Sequence, residues 1–274
     1  MSNYKELTSD DTLLEGAELN KFQSHVGSCN YFSMTTRYDI SYAMSRISSY
    51  GPTVGARKAL DRVMAYLMAT IDFNICGICG VKEDRYIAYS DSDLAGFMPY
   101  TTLSQSGGVV LLNNVPLKWR SKKQPKTSIS SAQAEVYALS DIIGEAKHIA
   151  HKMDDINLNV KWPITIGVDN EQAKKFSNDV TSSTKLKSVF NLKDARIKEM
   201  KDDGIVNTIH VDSNDNPADL YTKLHSNSRF KYLLQLVNPV KLIIDTLQDD
   251  TDRGTYIAEH GDECMADCMC AMSM

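Results

Sequence analysis

LKWRSKKQPKTSISSAQAEVYALSD, residues 117–141, runs from a basic strand end into the start of a helix, and the rest of the chain is organised around it. Ser130 is an N-cap by residue type, and Gln133 three residues on completes a capping box, so the spacing predicts a helix start here. Ala132, Val136, Leu139, Ile143, Ala146 and Ala150 then recur at spacings of four and three, an apolar stripe over about five helical turns. Glu135, expected in the first turn, borders that stripe, so its carboxylate is held against a scaffold. A lone Glu in such a place more often serves only the helix dipole. Any chemistry at Glu135 depends on other acids converging on it.

The chain has 274 residues, enough for one large or two small domains. Its hydrophobic fraction of 42% and charged fraction of 24% are ordinary for a globular protein. No apolar run reaches the ~18 residues of a membrane span, and the polar, acidic MSNYKELTSDD is not expected to be a signal peptide. Six cysteines in a chain of this kind are expected to be free thiols in a reducing compartment. A net charge of -5 argues against general coating of nucleic acid, yet Lys118, Arg120, Lys122, Lys123 and Lys126 form a local basic patch around Trp119.

Residues 1–20 are expected to be a loose polar leader. From 21 to 81 the pattern is that of a small helical module, with Ile40, Ala43, Met44 and Ile47 on one face and Ala56, Leu60, Val63 and Leu67 on the next. Thr53 can cap the second of these helices. Strands are expected over 72–79, 85–92, 104–112, 115–121, 160–168 and 205–211, with Asn113-Asn114 turning a hairpin. Helices follow Asp169 and cover 188–203, where Gly204 is a stop. This order predicts an α/β layer with helices packed on a central sheet over 82–237. The Met/Cys-rich acidic stretch from 238 to 274 is expected to be disordered.

Asp91 and Asp169 each sit at the C-terminal end of an expected strand, and Asp219 sits in Asn216-Pro217-Ala218-Asp219, a capped first turn. Strand ends of one sheet reach one edge, so both can meet Glu135 and Asp219 there. Singly, each is an ordinary turn or dipole acid. Converging carboxylates repel and raise one another's pKa, and they stay anionic only beside a cation. Hard oxygen donors in this number suit Mg²⁺ or Mn²⁺ rather than zinc.

Four stretches, YSDSDLAG (89–96), LKWRSKKQPKTSISSAQAEVYAL (117–139), IGVDNEQA (166–173) and NPADLYTK (216–223), together resemble the C-terminal part of a Ty1/copia-type retrotransposon polyprotein. The likeness takes in the end of reverse transcriptase and the ribonuclease H domain that follows it. FQSHVGSCNYFSMTTRYDISYAMSRIS (22–48) and RKALDRVMAYLMATIDFNI (57–75) resemble the region that follows the polymerase palm. The resemblance implies an RNase H-like fold with a mixed five-stranded sheet and flanking helices. It implies hydrolysis of the RNA strand of RNA–DNA hybrids by two Mg²⁺ (or Mn²⁺) ions held by Asp91, Glu135, Asp169 and Asp219. A polymerase subunit or a capsid particle are the protein partners it implies, and a virus-like particle in the cytoplasm, or the nucleus, the location. No Tyr-x-Asp-Asp motif occurs, so polymerase activity is not expected from this chain. A catalytically weak fragment that binds nucleic acid or protein is the alternative.

Lys118, Arg120, Lys122, Lys123, Lys126 and Ser130 are the expected contacts to hybrid phosphates, which position without reading sequence. Ser130 also suits a helix cap, and Trp119 suits sheet packing better than stacking on a sugar. The sequence departs from the family where Leu94 replaces Trp and where Ser188-Val189-Phe190 stands in place of Lys-His-Ile. Cys76-Gly-Ile-Cys79 has zinc-site spacing, but two thiols in a strand region are the better expectation.

Overall fold

The structure is a computed structural model that describes residues 10–75, 85–95, 101–158, 160–169 and 187–238. These divide into two compact units: residues 30–45 with those from 75 onward, and residues up to 29 with 46–74. Residues 76–84 with the Cys76–Cys79 pair, the helix expected after Asp169, and the stretch from 239 lie outside the described residues; residues 72–75 carry no strand.

The helical elements at the start are α1 (Gly16–Thr35), a 3-10 turn (Tyr38–Ile40), α2 (Ser41–Tyr50) and α3 (Val54–Ala69). Helix α3 begins where expected, because Thr53 Oγ1 accepts from the Ala56 N–H at 3.1 Å and satisfies one of the free amides of the first turn. Its Ala56, Ala59, Leu60, Val63 and Met64 are buried.

The sheet consists of β1 (Tyr86–Asp93), β2 (Gln105–Leu112), β3 (Val115–Lys123), β4 (Ile164–Val168) and β5 (Val206–His210). Its order is β3-β2-β1-β4-β5. Strands β1–β2 and β2–β3 pair antiparallel, while β1–β4 and β4–β5 pair parallel. A two-residue hairpin joins β2 to β3 through Asn113 (φ 52°) and Asn114 (φ 61°), positive angles that asparagine tolerates. The parallel pairs need crossovers. Helix α4 (Ser131–Asp155) lies in the first and α5 (Lys187–Asp202) in the second. A second 3-10 turn (Pro217–Tyr221) and α6 (Asn227–Val237) complete the unit. This mixed five-stranded sheet with flanking helices is the RNase H-like arrangement that the resemblance implies.

The core lies between the sheet and α4 with α5. Val136, Leu139, Ile142, Ile143, Ala146 and Ala150 of α4 pack on Ala88, Val110, Ile164, Ile166 and Val168 of the strands, and Ile197 and Met200 of α5 join them. Each fully buried aliphatic side chain of this kind stabilises the unit by about 1.5–3 kcal/mol relative to exposure. Gly108 lets α4 approach the sheet: a Cβ there would lie 2.7 Å from Ile142 Cδ1. Elsewhere on β3, Trp119 is buried, gives its indole N–H to the Ser33 carbonyl, and stands edge-on to Tyr38 at 5.9 Å. Trp119 is therefore a packing residue.

Candidate metal centre

Helix α4 delivers Glu135. Ser130 Oγ accepts from the Gln133 N–H at 3.2 Å, so the helix starts at Ser131 as the spacing predicts. The return bond of the capping box falls one residue earlier than expected, since Gln133 Oε1 accepts from the Ile129 N–H at 2.8 Å. Glu135 is accordingly past the first turn, which contains no acid, and the expected first-turn placement is corrected. Its position is fixed sideways instead: Glu135 Oε1 accepts from Ser92 Oγ at 2.9 Å and from the Ser92 N–H at 3.2 Å. Behind the entry to α4, buried Gln124 donates to the Ala134 carbonyl and to Ser106 Oγ, both at 2.9 Å. The amide thus joins the helix to β2.

Asp91 lies on the central strand β1, only 2% exposed, and Asp169 directly follows β4, the parallel neighbour of β1. One ligand oxygen from each of Asp91, Glu135 and Asp169 can be chosen so that all lie within 4.8 Å of one another. Asp219 comes from the second 3-10 turn, which is begun by Asn216 Oδ1 accepting from the Ala218 N–H at 3.1 Å. It stands outside that group of three and connects to it through Lys223. The Lys223 ammonium is 2.7 Å from Asp219 Oδ1 and 3.9 Å from Asp91 Oδ2. Arg229 holds the other oxygen, Oδ2, at 3.1 Å, and His225 Nε2 lies 2.8 Å from the Asp219 carbonyl oxygen. Thr222 Oγ1 donates to Asp91 Oδ2.

Burial dominates the electrostatics. It pushes the Asp91 carboxyl up to about 8; Lys223 opposes this, Asp219 adds to it, the Thr222 hydroxyl opposes it, and Asp169 adds to it. Glu135 is pushed up to about 9, first by burial and then by Asp91, against the Ser92 hydroxyl bond. Asp169 is raised by burial, with a Ser213 hydrogen bond opposing. Carboxylates that are crowded and dry lack a solvent to stabilise their charge, which is the condition a bound hard cation relieves. An all-oxygen donor set of this kind fits Mg²⁺ or Mn²⁺.

The basic residues are arranged less simply. Lys122 and Lys126 are exposed, and Lys118 and Lys123 are half-buried. Arg120 turns towards α4, 3.2 Å from Asp141 Oδ2 and 3.4 Å from Glu145 Oε1. Ser130 is committed as the helix cap. Leu94, which replaces the family's Trp, is 40% exposed. Sequence reasoning did not single out Ser92, Thr222, Lys223 or Arg229. The first three stand inside the quoted YSDSDLAG and NPADLYTK stretches, next to acids that were singled out. Arg229, ten residues beyond Asp219, carries no signal.

The sheet and its carboxylate cluster define an RNase H-like domain with a candidate centre for divalent cations. The relatives then place the chain more narrowly. It is 30% identical over 236 residues to the retrovirus-related Pol polyprotein from transposon RE2 of Arabidopsis thaliana, an alignment covering 84% of this chain and 16% of that protein. It is 29% identical over 225 residues to the polyprotein from transposon RE1 of the same plant, covering 80% of this chain and 15% of the relative. The chain is homologous to part of the Pol polyproteins of copia-type retrotransposons, and it fits their C-terminal region. It spans about one sixth of the length of these relatives. It is also 34% identical over 131 residues to secreted RxLR effector protein 161 of Plasmopara viticola, covering 46% of this chain and 88% of that one. No protein-family model matches. Among solved structures it is similar to LC11-RNase H1 isolated from compost, at 18% identity and a TM-score of 0.40, covering 55% of this chain and 98% of the other. Among the described residues no helix is long and apolar enough to cross a membrane.

Proposed function

We propose that this chain is a divalent-metal-dependent endoribonuclease that hydrolyses the RNA strand of RNA–DNA hybrids within a retrotransposon reverse-transcription machinery. The observation that carries this reading is the convergence of Asp91, Glu135 and Asp169 to within 4.8 Å on an RNase H-like sheet, with Asp219 beside them. Asp91, Glu135, Asp169 and Asp219 would hold two Mg²⁺ or Mn²⁺ ions. Bound there, the ions would supply Lewis-acid stabilisation of the phosphate and a nucleophilic water at neutral pH.

The chain's own residues do the positioning. Ser92 aims the Glu135 carboxylate, Thr222 aims that of Asp91, and Arg229 anchors Asp219. Lys118, Lys122, Lys123 and Lys126 would follow phosphates without reading bases. Arg120 and Ser130 would act through the scaffold, given their ion pairs and cap bond. Recognition of a hybrid would then rest on groove shape and 2′-hydroxyls. The same reading takes 82–237 as the nuclease domain and 21–81 as the connection-like module, of which residues 30–45 belong to the same compact unit as the sheet. It expects a reverse-transcriptase polymerase subunit or a capsid particle as partner, in the cytoplasm or nucleus.

A second reading, a catalytically weak fragment that binds nucleic acid or protein, is favoured by one observation. The RxLR effector protein of Plasmopara viticola matches over most of its own length, although it is not named as a polyprotein. Cleavage of a labelled RNA–DNA hybrid with Mg²⁺ or Mn²⁺ separates the two. RNA-strand cleavage by the parent that is lost in Asp91→Asn and Glu135→Gln supports the nuclease. Salt-dependent binding without cleavage supports the fragment.

A further inference from the structure

The four acids are not equivalent toward a cation. Asp91, Glu135 and Asp169 present oxygens to one another, whereas Asp219 is already covered on both sides. Its Oδ1 faces the Lys223 ammonium at 2.7 Å and its Oδ2 faces Arg229 at 3.1 Å. The same ammonium lies 3.9 Å from Asp91 Oδ2, so a positive charge occupies the space between Asp91 and Asp219. This differs from a surface ion pair in its surroundings: the Asp91 and Asp219 side chains are 3% and 7% exposed, while that of Lys223 is 43% exposed. An exposed pair contributes almost nothing, but a charge facing two dry carboxylates is poorly screened. The partly exposed Lys223 side chain also leaves the ammonium a route out to solvent.

We infer that Lys223 is a tethered counter-ion seated between Asp91 and Asp219, which a divalent ion must displace, so that the cluster fills in two unequal steps. The inference rests on the reading of the cluster as a divalent-cation centre. A first ion meets Asp91, Glu135 and Asp169. A second, recruiting Asp219, competes with the ammonium for Asp219 Oδ1 and Asp91 Oδ2. Lys223 thereby supports the folded carboxylate pair without metal and sets how much divalent ion full loading requires. It is a positioning residue, with its role expressed in cation binding before any substrate arrives.

The test measures Mn²⁺ binding to the whole, ion-free chain without nucleic acid, following free Mn²⁺ by electron paramagnetic resonance. The parent is compared with Lys223→Met and Lys223→Arg, each checked for folding by its melting curve. The parent is expected to bind one Mn²⁺ well and a second weakly. Lys223→Met should tighten the second site by about tenfold, equivalent to about 1.4 kcal/mol, and the first by less. Lys223→Arg, which keeps the charge, should retain the parent's separation of the two steps. If Lys223→Met does not fold, Lys223→Gln removes the charge while keeping polar atoms and is expected to behave the same way. Two steps left unchanged by removing the charge would overturn the inference while leaving the metal centre standing. Absence of Mn²⁺ binding by the parent would overturn both.

Discussion

Asn216 donates from Nδ2 to the carbonyl oxygen of Ser90 at 3.0 Å, linking the turn that presents Asp219 to the strand that presents Asp91. The same side chain accepts the Ala218 N–H through Oδ1, and it is wholly buried. One amide therefore caps a turn and sets its distance from the sheet. Asn216→Ala is expected to lower stability by about 1–3 kcal/mol, since a cap is lost and a buried carbonyl loses a partner. Asn216→Asp keeps the cap acceptor but sets a buried carboxylate oxygen against the Ser90 carbonyl, and should lose at least as much. Urea unfolding of the ion-free chain checks the order, and equal midpoints for the Ala variant and the parent would refute it.

Gly107 pairs with Asp91 across β1 and β2, directly under the same turn. A Cβ there would lie 2.5 Å from Thr222 Cγ2, 2.9 Å from Tyr221 Cβ and 3.0 Å from the Ala218 carbonyl oxygen. Backbone and a Cβ atom cannot swing aside as a long side chain can. Gly107→Ala should therefore cost at least about 1–3 kcal/mol by overpacking and displace Thr222 from Asp91. Gly144 is the contrasting case, in mid-helix with nothing within 4 Å of its added Cβ. Gly144→Ala should stabilise by about 0.5–1 kcal/mol. Thermal melts of the two variants should move in opposite directions.

The parts of this structure legible in sequence are those encoded by short-range pattern. The α4 stripe, the Ser130 and Thr53 caps, the Asn113-Asn114 turn and the Gly204 stop all depend on neighbours within about a turn, and all hold. The convergence of Asp91, Glu135 and Asp169 could be anticipated because strand ends in one sheet share an edge. The bonds among them could not. Ser92 to Glu135 spans 43 residues and Thr222 to Asp91 spans 131, so these pairings exist only once the sheet is assembled. Arg120 shows the reverse error of local reasoning. A basic run looks like one surface, yet Arg120, which shares a strand face with Lys118 and Lys122, is drawn to Asp141 and Glu145 of α4, acids that lie 21 and 25 residues further along the chain.

Residues 30–45 form one compact unit with the sheet, through the Trp119 indole bond to Ser33, the Tyr38 ring, and Gln105 Nε2 donating to Ser45 Oγ at 3.0 Å. A chain beginning at residue 82 would bare Trp119 and leave its N–H without that carbonyl. Such a truncation is expected to be markedly less stable than one beginning near residue 28, or to fail to fold. Trp119→Phe in the whole chain should reproduce part of the loss, about 1–2 kcal/mol, by removing the hydrogen bond while keeping an aromatic ring. Near-ultraviolet circular dichroism and urea unfolding of both chains decide the matter. Equal stability of the two truncations would show that residues 30–45 are dispensable.

The carboxylate cluster should also set how stability depends on pH and on divalent ions. Asp91 and Glu135 rise on folding from 3.8 and 4.5 to about 8 and about 9, mainly through burial. Between these limits the folded protein binds protons that the unfolded chain has released. Stability therefore falls as pH rises through this window, the opposite of an acid held by a salt bridge. Without divalent ions the melting temperature should decline from about pH 5 to about pH 9, by about 2–4 °C for each kcal/mol involved. Glu135→Gln removes one of the two ionisations and should flatten the decline. Mg²⁺ binds the deprotonated cluster, so its stabilising effect should grow with pH as the protons it displaces become easier to release. A melting temperature equally insensitive to pH in the parent and in Glu135→Gln would exclude a dry, proton-binding cluster. A Mg²⁺ effect that shrinks toward pH 9 would mean that the ion binds elsewhere.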